Sequence, residues 1–316
     1  MLAKILKTIL LLILLALVSL AGGYFYLQHY LKENITVPKT LFIPKGSSKS
    51  VIHALHNKGI DVGELDYYLL KMIGYPQAGW INLETTNMKR GEFLYKITHA
   101  KAALESVTLI PGETREIFFE QLAKKLDLNA TKLYSSYFEK TKIPEGVLIA
   151  DTYRVPKGID ENALITYLVD KSFQKHRTLA KEALDKYDEK KWFEKYVTIA
   201  SIIQKEAAGD DEMPLVSAVI YNRLKKKMKL QMDGTLNYGR YSHVKVTPKR
   251  IREDNSSYNT YKIAGLPPYP VCAVSIPALK AAIKPANVNY LYFVKGKDNK
   301  HRFTTSYKAH LREIHR

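Results

Sequence analysis

The sequence predicts an α+β protein made of an N-terminal transmembrane helix, a small α/β module and a larger mixed α/β domain. Three observations predict it. An apolar run from Ile9 to Leu27 comes after a short lysine-bearing leader. Strand-like and helix-like stretches then alternate through residues 38–105. A motif-dense region, with strand signals near its end, begins at Tyr196.

The apolar run is 19 residues, roughly 28 Å as a helix, close to the thickness of bilayer hydrocarbon. Lys4 and Lys7 precede it, which predicts a cytoplasmic tail over residues 1–8 and export of the chain beyond the run. Tyr24, Tyr26 and Tyr30 are expected at the outer interface. Ser19-Leu20-Ala21 has the small-x-small pattern of a cleavage site. Because Tyr24 to Leu27 extend the run to full length, an uncleaved anchor is the better reading. The expected product is a single-pass membrane protein with its C-terminal bulk exported from the cytoplasm.

In the small module, Thr40 to Ile43 reads as a strand. Gly46-Ser47-Ser48 offers a helix N-cap, and Val51, Ile52 and Leu55 form an apolar face before Gly59 ends the helix. Leu65 to Ile73 gives a second helix ending at Gly74, and Gly91 to Ile97 alternates as a strand. Phe42 to Ser48 has a weak echo in Leu109 to Thr114, which also precedes a helix, Ile117 to Leu126. Leu128 to Lys195 is mostly helical in pattern, interrupted at Pro144-Glu145-Gly146 and at Asp151 to Pro156. Tyr290 to Val294 reads as a strand.

The 49 Lys and Arg outnumber the 31 Asp and Glu, giving a formal charge of +18. That suits a membrane surface, a cell-wall polymer or nucleic acid, and equally a solvated lysine-rich surface. Export, and the lack of a basic run beyond Lys225 to Lys227, argue against nucleic acid. The lone Cys272 excludes an internal disulfide framework. The histidines are scattered without metal-binding spacing, so neither a metal nor a cofactor is expected, and His301 reads as a surface residue.

The sharpest chemical signal lies in Val197 to Ala208. Ile199, Ile202, Ile203 and Glu206 recur at helical spacing on one face, whereas Gln204 and Lys205 are expected to turn away. A carboxyl held among apolar groups resists ionisation, which makes a general acid usable near neutral pH. The bland alternative is a structural ion pair, for example with Arg223. Pro214 then starts a second helix behind the acids Asp210, Asp211 and Glu212. Leu230 to Thr235 and Tyr258 to Tyr261 bring amides, a carboxylate and tyrosines together, as a sugar-binding groove requires, with Gly265-Leu266-Pro267-Pro268 as a rigid turn.

In order and spacing these stretches resemble the endolytic murein transglycosylase, or YceG-like, family. The matching residues are Ala200 to Glu206, Asn222-Arg223-Leu224, Leu230 to Thr235 with Tyr238-Gly239, and Tyr258 to Tyr261. They continue through Gly265 to Pro268, Leu279 to Ala282 with Pro285, and Tyr290 to Val294. The resemblance implies a LysM-like module over 38–105 and a catalytic domain over 106–316. It also implies lytic cleavage of the MurNAc–GlcNAc bond of nascent peptidoglycan, leaving 1,6-anhydro ends and terminating strand growth. Glu206 would be the catalytic acid/base, with Asn222, Arg223, Gln231, Asp233, Thr235, Tyr258, Asn259 and Tyr261 as candidate substrate contacts. Peptidoglycan strands would be the partner, and peptidoglycan synthases expected companions. A non-catalytic, membrane-tethered wall-binding or division-scaffold protein is the alternative.

The chain departs from the family pattern in three places. Gln204 replaces the first glutamate of the usual Glu-Lys-Glu, so that carboxylate is expected to be dispensable. Ala273-Val274-Ser275 stands where Asn-Pro-Gly is usual. Gly234 replaces a proline, expected to be a loop adjustment only.

Overall fold

The computed structural model describes residues 2–101 and 104–315. It divides into two compact units, one of Met1–Glu105 with Val155–Ile159 and the other of Ser106–Arg154 with Asp160–Arg316.

The first unit opens with a long helix, α1 (Leu2–Lys32), of which Leu6–Lys32 is long and apolar enough to cross a membrane. The expected span stops at Leu27, but the helix continues because its last turns have partners. Leu27, Tyr30 and Leu31 pack on the unit's apolar core. Tyr30, expected at the outer interface, is a packed residue at this end of the helix. Its hydroxyl donates to Asp66 at 2.8 Å, and the Arg90 guanidinium lies 4.3 Å over its ring.

Strands β1 (Asn34–Thr36) and β2 (Thr40–Ile43) come next, then α2 (Ser48–Asn57) and α3 (Glu64–Ile73), β3 (Gly79–Asn82), β4 (Asn87–Lys89) and α4 (Arg90–His99). β2 pairs antiparallel with β3, and β1 with β4. The run β2–α2–α3–β3 is thus a strand–helix–helix–strand unit. Ser47 caps α2, accepting from the Ser50 N–H, as its sequence predicts. Val51, Ile52 and Leu55 enter a core with Leu41, Ile43, Leu69, Leu70 and Ile81.

The predicted strand over Gly91–Ile97 is instead helix α4. Phe93, Leu94 and Ile97 are all fully buried while Tyr95 is 57% exposed, so burial obeys the three-and-four spacing of a helix, not alternation. Gly91 belongs to its first turn for a steric reason. A Cβ there would come within 3.3 Å of the Leu31 carbonyl oxygen, so glycine lets α1 lie close.

The second unit takes in most of β5 (Leu104–Leu109) and of β6 (Asp151–Pro156), with α5 (Arg115–Leu126), α6 (Ala130–Lys140), α7 (Glu161–Ala180) and α8 (Glu189–Lys191). A π-helical turn, Trp192–Val197, leads into α9 (Thr198–Glu206). Then come α10 (Met213–Lys225), α11 (Pro248–Glu253), α12 (Ile276–Ile283), β7 (Tyr292–Lys295), β8 (His301–Thr304) and α13 (Tyr307–Ile314). β5 pairs with β6, and β7 with β8 in an antiparallel hairpin. The β5–turn–α5 segment repeats the strand–turn–helix form of β2–α2, as the sequence echo suggests.

Helix α9 is the centre of this unit and packs on α10 and α12. Sequence predicts a single apolar face, but Thr198, Ile199, Ala200, Ser201, Ile202 and Ile203 are all buried. A helix covered all round is a core element. Its polar positions hold neighbouring loops: Ser201 Oγ accepts from the Val271 N–H at 3.0 Å. Cys272 beside it is fully buried, and burial pushes its thiol up to about 12, which leaves it an inert core group. Burial eases only at the last turn of α9, Gln204–Lys205–Glu206, whose three residues are half-buried.

Candidate active site

Glu206 is the last residue of α9; Ala207 is already extended, with φ −70° and ψ 137°. The carboxyl therefore leaves the core at the helix's negative end, where a further negative charge is disfavoured. It is half-buried. Oε1 accepts a 2.6 Å hydrogen bond from the Gly234 N–H. Among the described residues Glu206 makes no ion pair, so the structural alternative of pairing with Arg223 is not realised. Burial is the main influence on its acidity; Asp233 nearby adds to it, the Gly234 N–H opposes it, and the carboxyl is pushed up to about 7.

The other two residues of that turn, expected to turn away from the apolar face, are half-buried and hydrogen-bonded to neighbouring loops. Gln204 Oε1 accepts from the Ser275 N–H at 3.1 Å, and Ser275 in turn caps α12 by accepting from the Ala278 N–H. Two of the three departures from the family pattern are therefore hydrogen-bonded to each other. Lys205 Nζ donates to the Ser242 hydroxyl at 3.0 Å and to its carbonyl at 3.3 Å. The turn is gripped from three sides, which fixes the rotamer range open to Glu206.

The segment facing it, residues 231–236, is bent by its backbone. Gln231 takes a positive φ of 51°, a conformation costly for a side chain with a Cβ. Its N–H is held by the Thr260 carbonyl at 3.2 Å. The bend leaves Gln231 and Asp233 exposed. The Tyr261 hydroxyl donates to Asp233 Oδ1 at 2.7 Å, holding that carboxylate in place. Tyr258 is half-buried and stacks on Tyr238, with ring centroids 4.5 Å apart and planes 20° apart.

The remaining candidate contacts serve the frame. Asn222 donates to the carbonyls of Val288 and Tyr290 at 2.8 and 2.9 Å. Arg223, 8% exposed, donates to the carbonyls of Leu291, Lys229 and Leu230, and burial lowers its pKa. Thr235 is fully buried and bonds the Met232 carbonyl and the Thr260 hydroxyl. Asn259, also fully buried, donates to the carbonyls of Ile251 and Asp254 and accepts from the Tyr261 N–H. These side chains tie the two loops around Glu206 into one body.

Several groups escape a reading of the sequence. Pro144-Glu145-Gly146 reads only as an interruption, yet Glu145 accepts the N–H groups of Arg115 and Gly146, each at 2.9 Å, and burial raises its pKa. His301, expected at the surface, is inside. Its Nδ1 lies 2.6 Å from Glu212 Oε2, with side chains 10% and 8% exposed. A cavity of about 500 Å³ is lined by Tyr238, Tyr241, Arg250 and Asp254 among others, and Glu206 is not in its wall. Among the described residues no cluster of three or more His, Cys, Asp or Glu is placed to hold a metal ion.

Fold and site together define a mixed helix-and-strand protein with a candidate membrane-spanning helix and a carboxyl of raised pKa, Glu206, set between two hydrogen-bonded loops. The chain belongs to the YceG-like family, whose profile matches residues 41–316. It is 28% identical over 92% of its length to the endolytic murein transglycosylase of Bacillus subtilis, covering 89% of that protein. It is 25% identical over 90% of its length to the endolytic murein transglycosylase of Streptococcus pneumoniae D39, spanning 60% of that longer protein. A crystal structure of a YceG-like protein from Listeria monocytogenes superposes with a TM-score of 0.58 at 26% identity, over 89% of this chain and 99% of that one.

Proposed function

We propose that this protein is a membrane-anchored endolytic transglycosylase of peptidoglycan, with Glu206 as its single acid/base. The observation that carries the reading is a carboxyl with no cationic partner among the described residues, pushed up to about 7 and therefore partly protonated at neutral pH. The relatives named as endolytic murein transglycosylases support the substrate class.

The proposed reaction needs one such group. Glu206 protonates the oxygen linking MurNAc to GlcNAc as the C1–O bond breaks. The C6 hydroxyl of the same MurNAc attacks C1 and returns its proton to Glu206, leaving a 1,6-anhydro end. The nucleophile belongs to the substrate, so the second carboxylate of ordinary glycosidases is not required. Asp233, held by Tyr261, is suited to stabilise positive charge developing on the sugar ring. Gln231, Tyr258 and Tyr261 are the groups we assign to sugar hydroxyls and faces. Asn222, Arg223, Thr235 and Asn259 act through the loops they hold.

The remaining assignments extend that reading. The strand–helix–helix–strand unit β2–α2–α3–β3 is read as the LysM-like, glycan-binding module. Helix α1 is read as crossing the inner membrane, with the rest of the chain in the periplasm. Cutting nascent strands would end their elongation, so peptidoglycan synthases are the expected companions.

The test is incubation of the protein and of Glu206→Gln with purified sacculi, with mass analysis of the products. Anhydro-muropeptides from the parent and none from the variant are expected. Undiminished release by Glu206→Gln would refute the catalytic assignment. A tethered wall-binding protein would sediment with sacculi and release nothing soluble.

A further inference from the structure

Gly234 is the group that touches the Glu206 carboxyl most directly. Its N–H donates to Oε1 at 2.6 Å. The residue is buried, and a Cβ built on it would lie 2.5 Å from Lys205 Cβ and 2.9 Å from Glu206 Oε1. Lys205 Cβ is fixed to the α9 backbone and its amine is tied to Ser242, so it cannot swing aside. Only a residue without a side chain brings an N–H this close.

A proton-shuttling carboxyl has two oxygens that are equivalent until something distinguishes them. Here Oε1 has a donor, and Oε2 has no partner among the described residues. We propose that the Gly234 N–H is a positioning group for the reaction, engaging Oε1 and reserving Oε2 for the proton that travels to and from the substrate. The proposal rests on the reading of Glu206 as the acid/base. In the first half-step Oε2–H gives its proton to the glycosidic oxygen, which leaves with the electron pair of the broken C1–O bond. In the second, the C6 oxygen bonds to C1 and its proton comes to Oε2, restoring the starting acid.

The N–H bond to Oε1 is compatible with both states and stronger to the carboxylate. It therefore eases release of the proton, countering the burial and the Asp233 charge that resist ionisation. Where the family pattern has proline, no N–H exists to play this part, so the device belongs to this chain.

The experiment uses the full chain in detergent micelles, labelled with ¹⁵N-glycine, with the Gly234 amide proton tracked through the pH range around Glu206 ionisation. That proton should move downfield as Glu206 ionises, with a midpoint near 7, and should be still in Glu206→Gln. Gly234→Pro, which removes the donor, should raise the alkaline limb of the kcat–pH profile by about one unit. A Gly234 amide indifferent to Glu206 ionisation overturns the proposal, as does a folded Gly234→Pro protein with an unmoved profile. The amide titration needs no substitution at Gly234, so a misfolded proline variant does not shield the proposal. Activity retained by Glu206→Gln would instead sink the acid/base reading, whatever Gly234 does.

Discussion

Glu206 and Glu212 stand six residues apart in the sequence, both withdrawn from solvent, and they are treated in opposite ways. Glu212 is met on both oxygens: the His301 N–H at 2.8 Å, His301 Nδ1 at 2.6 Å and the Ala208 N–H at 3.2 Å. Burial works against its ionisation, but those partners outweigh it and hold the carboxyl below its usual range. Glu206 has one backbone donor and a carboxylate for a neighbour, so burial prevails. Burial alone does not fix the acidity of a glutamate; between these two, the donors that meet Glu212 and are missing at Glu206 separate the outcomes. One carboxyl locks the start of α10 to β8, and the other is left free to exchange a proton.

This contrast can be broken by experiment. The largest effect expected is on turnover: Glu206→Gln should lower release of anhydro products by at least about a hundredfold, whereas Glu212→Gln should leave the folded protein within about threefold of the parent. Stability should respond in the reverse sense. Glu212→Ala leaves the His301 and Ala208 donors without their acceptor and should cost about 2 kcal/mol, read as a drop of several degrees in the thermal midpoint.

Glu206→Gln should stabilise the protein above neutral pH. A carboxyl whose folded pKa is raised contributes stability that is complete below about 4.5 and is lost as the pH rises through about 7. The variant should therefore gain on the parent across that window, by about 1–2 kcal/mol at alkaline pH after allowance for partial exposure. Equal thermal midpoints for parent and variant at both ends of the window would contradict the unpaired state of Glu206.

Smaller effects sharpen the surroundings. Tyr261→Phe removes the donor that fixes Asp233 and should reduce kcat about fivefold, roughly 1 kcal/mol of barrier, with little change in KM. Gln204→Glu offers the same kind of oxygen to the Ser275 N–H, and its activity should stay within about twofold of the parent. A large loss there would mean that the amide's second group matters as well.

Legibility in the sequence tracks the range of the forces involved. Helix α9 and the setting of Glu206 are legible because the isoleucines and the carboxyl share one short periodic segment. The capped start of α2 is legible for the same reason. Gly91–Ile97 misleads because Phe93, Tyr95 and Ile97 alternate by accident of composition, and the close approach of Leu31 that explains Gly91 comes from the distant α1. The amide-rich motif residues can be located but not their duties. Asn222 and Asn259 look like ligand-binding groups until Val288, Tyr290, Ile251 and Asp254 are seen to occupy them. His301 reads as exposed because Glu212 lies 89 residues away. Gly234 is easily discounted because a backbone N–H leaves no mark in a sequence except where proline is missing.

The junction at Tyr30 has a mechanical meaning. Arg90 reaches Asp61, Asp66 and Glu33 while covering the Tyr30 ring, and Leu27 and Leu31 fill the same apolar interior. A helix that ended in a slack leash would let the first unit roam; α1 ends as a rivet. With α1 read as the membrane span, any tug or tilt on it is felt directly by the β2–α2–α3–β3 module, and a shortened protein that starts after Lys32 would leave a hole where the rivet sat.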